Sequence, residues 1–408
     1  MTDATIETER IMTAHISPPI SPAVADLTRR AEIAAAAAAA AADAVDRQAR
    51  FPAEAFAALR AERLMSILVP ADLGGEGATI SDVVDICYML GRACASSAMI
   101  YAMHQIMVAI TVRHARGVPW HERLLRRLCS EQLLIASSTT DGIGGGDLRA
   151  STCAVEGEGA GIKLVKNAAV MSYGAEANAI LTTARRAPDA PASDQVLVAL
   201  AQGDYCLERT IAWDALGMRG TCSAGFRLTG TGGTEQVLPL PYQAILAQSM
   251  VPIAHLTWSA VWSGVAAGAV ERARRFMRNA ARKSGGHLPP GAAHLTRATG
   301  ELRMLRGMIA SELQRFEAAA DNGAQLETLD FQAAMNLLKV SASELAGKTV
   351  MSALQACGLA GYRNDGEFSI SRHLRDVLSA PIMINNDRIL ANAANAALLV
   401  ETPARLRA

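Results

Sequence analysis

A chain of 408 residues is long enough for two or three domains around a large buried core. Half of its residues are hydrophobic and 19% are charged, which excludes wholesale disorder. Lys+Arg and Asp+Glu are both 39, so no global field attracts nucleic acid or an anionic membrane, and an anionic ligand must be held by local groups. The seven cysteines are scattered and form no Cys-x-x-Cys pair, the usage of reduced thiols in a cytoplasmic protein. No apolar run of membrane-spanning length is evident. Residues 1–22 are polar, carry Pro18, Pro19 and Pro22, and read as a mobile tail without a signal-peptide pattern.

The pattern then predicts helices. Ser21–Arg50 contains the alanine run Ala34–Ala42, free of glycine and proline, and Phe51-Pro52 ends it. Ala53–Arg63 is a second helix. Val69-Pro70 and Gly74–Gly77 break the chain, and Ser81 is a candidate cap for the next helix. Val83, Val84, Ile86, Cys87 and Leu90 recur at helical spacing, followed by the apolar helix Ser96–Ala115 and the basic amphipathic helix Trp120–Ser130.

The texture changes at Leu133. Short β-type stretches (LLIASSTT, STCAVEG, KLVKNAAVMS, AILTTARR, DQVLVALA and GFRLTG) alternate with turn-rich pieces, the pattern of a small β-barrel or sandwich. Helices return with Trp258–Lys283, Gly291–Asp321, Leu326–Gly358 and Arg388–Glu401. The order α, β, α lacks strand–helix alternation and excludes a doubly wound nucleotide-binding fold. The expected fold is a multidomain α+β chain: tail 1–22, N-terminal helical domain 23–132, central small β-barrel domain 133–243, and C-terminal four-helix-bundle domain 244–408.

Several segments, in order, resemble the acyl-CoA dehydrogenases: FPAEAFAALRAERLMSILVPADLGGEGATISDVV, TTDGIGGGD (Thr139–Asp147), VKNAAVMSYGAEANAILTTAR, WDALGMRGTCSAGFRL, and QACGLAGY (Gln355–Tyr362) followed by RHLRD (Arg372–Asp376). The resemblance covers roughly residues 30–400. It implies FAD between the domains and electron transfer to an external acceptor. It places Thr139, Thr140, Gly145, Val170, Met171 and Ser172 at the flavin ring, with Thr140 and Ser172 as the hydroxyl contacts. Arg282 matches the arginine that binds the pyrophosphate of a neighbouring subunit's FAD, and Gln355 and Gly358 match the segment that reaches FAD across a dimer. Val170 stands where the family has a tryptophan, and Gly285 and Leu359 also depart from its pattern. Taken alone, GIGGGD reads as a surface hairpin, and Arg282 reads equally as a solvated helix end.

The family's α-proton base, a glutamate, is missing. Its usual position is Ile384 and its alternative position is Thr257. Asp387 is the nearest carboxylate. His104, on an otherwise apolar helix, reads as a catalytic base or as a hydrogen-bonded core histidine. Met99, Met103 and Met107 pack as core or line an acyl pocket. Three readings follow. The first is an FAD-dependent desaturase of an acyl thioester on CoA or a carrier protein, passing electrons to an electron-transfer flavoprotein. The second is a two-component flavin monooxygenase on the same scaffold, resembling the dibenzothiophene and aminosugar N-oxygenating enzymes and using FMN from a flavin reductase. The third is a non-catalytic flavin or thioester binder. A homotetramer built as a dimer of dimers is implied, with no nucleic-acid or membrane partner.

Overall fold

The computed structural model describes residues 22–141 and 148–401. The expected tail lies outside the described residues up to position 21, and Pro22 already opens the first helix, α1 (Pro22–Gln48). Ala31, Ala34, Ala38, Ala42 and Val45 are buried along one stripe of α1. Small side chains at that spacing let the helix lie close on its neighbours, and alanine's propensity supports the long helix itself. After α2 (Ala53–Ala61) and two short 3₁₀ turns comes α3 (Ile80–Ala93). Its cap is Thr79 rather than Ser81: Asp82 N–H donates to Thr79 Oγ1 at 3.2 Å and Thr79 N–H to Asp82 Oδ2 at 2.8 Å, a reciprocal box worth about 1 kcal/mol. Ser81 instead donates to Glu317. Next come α4 (Ala95–His114) and α5 (Pro119–Glu131).

The central region holds β1 (Ile135–Ser138), β2 (Glu156–Glu158), β3 (Gly161–Ala168), β4 (Ala179–Arg185), β5 (Gln195–Ala201), β6 (Tyr205–Ile211) and β7 (Gly225–Gly233). Among the described residues these strands divide between a three-stranded sheet, β1-β4-β5, and a four-stranded antiparallel sheet, β2-β3-β7-β6. β1 runs parallel to β4, with Ile135 opposite Ala179. β4 and β5 are buried on both faces, which is why they read as near-continuous apolar runs. β6 is a largely exposed strand that the sequence pattern does not reveal.

The C-terminal bundle consists of α6 (Val251–Lys283), α7 (Ala292–Ala319), α8 (Leu329–Cys357), the short α9 (Ser371–Val377) and α10 (Asn386–Leu399). α6 starts seven residues before the expected Trp258 and is preceded by a π-helical turn, Leu246–Met250. α6 crosses α3 at a glycine pair: a Cβ on Gly264 would stand 2.3 Å from Tyr88 O and 2.9 Å from Gly91 Cα. The small-residue run of α6 therefore serves contact inside the chain.

Two helical stretches, Ala95–His114 and Tyr242–Lys283, are long and apolar enough to cross a membrane by length and composition, contrary to the sequence reading. In the most apolar window of each, 89% and 72% of the residues are buried in the protein, as for a helix in a domain core that is apolar all round.

Candidate functional site

β1 leads directly into Thr139–Asp141, the first part of the Gly-rich segment. A buried ion pair pins this stretch. Lys166 Nζ stands 3.0 Å from Asp141 Oδ1 and donates to Thr183 O at 2.9 Å and Thr183 Oγ1 at 2.7 Å. Thr183 Oγ1 donates in turn to Thr139 O at 3.3 Å. Asp141 also accepts from Ser151 Oγ and from the backbone N–H and hydroxyl of Thr152. Burial raises the Asp141 carboxyl, but Lys166 and the Thr152 bonds outweigh it and hold the group below the ordinary range.

The second hydroxyl segment is tied to the first. Tyr173 Oη donates to Ile135 O at 3.1 Å, at the start of β1. Ser172 Oγ lies 2.8 Å from Ser223 Oγ, which lies 2.7 Å from Thr221 Oγ1. Thr140 and Ser172 are half-buried, and Val170 is 47% exposed. Met171 is buried and its N–H donates to Ala224 O, so neither group is free for a ligand. Ser138 Oγ is buried without a partner among the described residues. This set consists of uncharged hydroxyls beside an exposed apolar side chain. It fits the edge and face of a flavin ring, whose polar atoms are themselves neutral donors and acceptors. Gly145 lies outside the described residues. Arg282 is exposed in the last turn of α6. Gln355 is exposed at the end of α8, and Gly358, just beyond, has φ +55° and ψ −136°, a conformation that a side chain strains.

The expected bases are not brought to this cluster. His104 is 0% exposed, and both ring nitrogens are used: Nδ1 accepts from Ile135 N–H at 3.0 Å and Nε2–H donates to Met65 O at 2.8 Å. Burial pulls it down to about 4. The ring fixes β1 against α4 and has no nitrogen left for a substrate. Asp387 is exposed in the first turn of α10. Thr257 is buried and its hydroxyl donates to Ile253 O at 2.7 Å within its own helix.

Beside these segments lies a cavity of about 440 Å³ between the β-region and the bundle. One face of α6 and its π-helical turn (Ala247, Met250, Val251, Ala254, His255, Trp258) forms a wall; α8, α10 and the loop before α10 complete it. Ile384 lines this cavity and Thr257 does not. Ile384 and Asn385 adopt φ +59° and +48°, unusual for side-chain-bearing residues, and their loop is held from inside. The buried Lys339 Nζ donates to Ala380 O at 3.0 Å and Asn386 Oδ1 at 2.7 Å, and burial lowers it to about 8.

Among the described residues no Asp or Glu lines the cavity. Trp258 Nε1 and Gln195 Oε1 are buried there without a hydrogen-bond partner, and Tyr242 Oη, buried beside the Thr139 side chain, keeps its proton free to donate. Burial pushes the Tyr242 phenol up, with the nearby Thr139 side chain acting against it. His255 Nδ1 lies 3.0 Å from Met335 O; a carbonyl only accepts, so the proton sits on Nδ1 and Nε2 is left as an acceptor. Burial lowers His255 to about 4, the Met335 bond opposing and Lys339 adding to it, so the ring is neutral near pH 7. Sequence reading missed His255 because it began α6 at Trp258, and it offered no signal for Gln195 or Tyr242, which lie on other elements. Extending the helix back to Val251 places Val251, Ala254, His255 and Trp258 on one face.

Comparison with known proteins agrees with this layout. The family described as acyl-CoA dehydrogenase, N-terminal domain, matches residues 26–132, and that described as acyl-CoA dehydrogenase, C-terminal domain, matches residues 246–399. A dibenzothiophene monooxygenase of Mycolicibacterium goodii is 26% identical over 339 residues, covering 79% of this chain and 77% of the relative. FMN-bound TdsC of Paenibacillus sp. A11-2 superposes with a TM-score of 0.81 at 18% identity, over 92% of this chain and 98% of that one. The methanesulfinate monooxygenase MsuC of Pseudomonas fluorescens gives 0.78 at 18% identity, over 94% and 98%. With both helical regions matched on either side of the β-region, the chain belongs to the acyl-CoA dehydrogenase superfamily.

Proposed function

We propose that this protein is the oxygenase component of a two-component flavin-dependent monooxygenase, working in the cytoplasm with a separate flavin reductase. The observation that carries this reading is the absence of any carboxylate among the described residues lining the cavity. Desaturation of an acyl thioester needs a base poised at the substrate α-carbon. At the family's two base positions Ile384 presents an alkyl group and Thr257 is turned away. Oxygenation has no such requirement. Reduced FMN, when bound, would supply the electrons that activate O₂, one oxygen atom entering the substrate and the other leaving as water. The chain's own part is to hold the ring through Thr139, Thr140 and Ser172, to keep the substrate in the cavity, and to orient it with Tyr242, Trp258 and the neutral His255.

The names of the relatives support the reading, as does FMN in one of them. The dimer of dimers remains part of the proposal. Exposed Ile382, Leu398 and Leu399 support it, and light scattering reads the mass. The decisive experiment supplies purified protein with FMN, NADH, a flavin reductase and a panel of aromatic and sulfur-containing candidate substrates under air, and in parallel mixes flavin-loaded protein anaerobically with acyl thioesters. An oxygenated product in the first arm and no flavin bleaching in the second are expected. Bleaching with an enoyl product would restore the desaturase reading.

A further inference from the structure

The wall of the cavity sorts ligands by charge, an inference that rests on the cavity being the substrate site of the proposed flavoenzyme. A buried ammonium group without an anionic partner is disfavoured, because burial strips its hydration, as the lowering of Lys339 between neutral acceptors illustrates. None is offered: the described lining has no Asp or Glu, Arg149 and Arg388 border it, and His255 adds a neutral ring. The lining does hold unspent hydrogen-bonding capacity. Trp258 is 4% exposed and its Nε1–H can only donate. Tyr242 is 1% exposed, with a hydroxyl that burial keeps protonated. Gln195 is 4% exposed; its Nε2 donates to Leu148 O at 3.1 Å, which fixes the amide and leaves Oε1 as an unpartnered acceptor. Buried polar atoms of native proteins are rarely left unpaired, and several at one cavity mark where a ligand or ordered water completes them.

We propose that the cavity binds a small uncharged or anionic organic molecule, whose acceptor atom is held by Trp258 Nε1–H and the Tyr242 hydroxyl, and that it rejects cationic amines. A heteroatom or carbonyl oxygen meets the two donors. A neutral N–H or O–H on the same molecule would meet Gln195 Oε1 or His255 Nε2. The apolar wall, with Met250, Ala254 and Ile384, takes the hydrocarbon part.

The test uses three naphthalene probes of matched size: 2-naphthoate, 2-naphthamide and 2-naphthylmethylamine, the last a cation at neutral pH. Affinities are measured by calorimetry on flavin-free and FMN-loaded protein. The first two are expected to bind at least about tenfold more tightly than the amine, a difference of ~1.4 kcal/mol. Trp258→Phe and Tyr242→Phe should each weaken 2-naphthamide by about fivefold, the worth of one hydrogen bond, and Trp258→Phe should leave FMN affinity unchanged. Asn336→Asp places a carboxylate in the wall and should tighten the amine by about tenfold or more, a gain that a misfolded variant cannot mimic. Amine binding as tight as that of the other probes, no binding by any probe, or no gain from Asn336→Asp overturns the proposal. Failure to bind FMN, or turnover only with thioesters, refutes the monooxygenase reading separately, because the probe ranking is also read without flavin.

Discussion

Replacing Lys166 with methionine tests whether Thr139–Asp141, the stretch proposed to face the flavin, is held by a buried charge pair. The Lys166 side chain is 0% exposed and that of Asp141 is 4% exposed, so solvent screens neither. Methionine fills similar volume but removes three contacts: 3.0 Å to Asp141, and 2.9 and 2.7 Å to Thr183. Breaking a buried pair on one side typically costs about 3–5 kcal/mol, because the remaining charge is stranded. Asp141 keeps its bonds from Ser151 and Thr152, which places the expected loss near the lower end, about 3 kcal/mol. Asp141→Asn strands the lysine instead and should cost about 2–3 kcal/mol, with the two Thr183 bonds retained. The double variant leaves no stranded charge, so its loss should fall short of the sum by about 2 kcal/mol. Equilibrium urea unfolding of the four proteins at pH 7 measures this, and FMN titration should show weaker binding in each single variant. Losses below about 1 kcal/mol for both single variants, or strict additivity, would refute the reasoning. Since the Asp141 carboxyl is depressed, its contribution is present above the unfolded value of 3.8 and is lost only as pH falls through the still lower folded value.

His104→Ala should lower stability by about 2–4 kcal/mol, because it orphans the buried Ile135 N–H and removes a donor from Met65 O; the pH profile of turnover between pH 6 and 9 should not move, and a lost ionisation in that profile would contradict the structural role. Asp376 is buried and accepts from Met218 N–H at 2.7 Å, and burial raises it to about 6, Arg372 opposing. A raised carboxyl contributes stability that is full below about 3.8 and lost as pH rises through about 6. Asp376→Asn keeps the acceptor and stays neutral, so its urea midpoint should gain on the native protein between pH 4 and 8 by the equivalent of about 3 kcal/mol; parallel curves would count against the buried carboxylate.

What the sequence determined by itself was set by local pattern. The alanine stripe of α1, the periodicity of α3 and the two-sided apolar runs of β4 and β5 are each legible within one stretch of chain, because burial on one or both faces imposes its period there. The family resemblance implied Thr139, Thr140 and Ser172 at one flavin ring, and Ile384 and Thr257 at base positions without a carboxylate. Tertiary structure alone decided the rest. β6 has no apolar run and exists because it pairs with β7, Tyr205 opposite Gly230. His104 reads as a poised base until its nitrogens are found bonded to backbone 39 and 31 residues away. The turning of Thr257 away from the cavity and of His255 toward it follows from a helix that begins at Val251 and from its packing on α3 through Gly264. The cavity itself is drawn from segments nearly 250 residues apart, such as Leu148 and Ala396. Periodicity reports which face of an element is buried, and only packing between distant elements decides what that face meets.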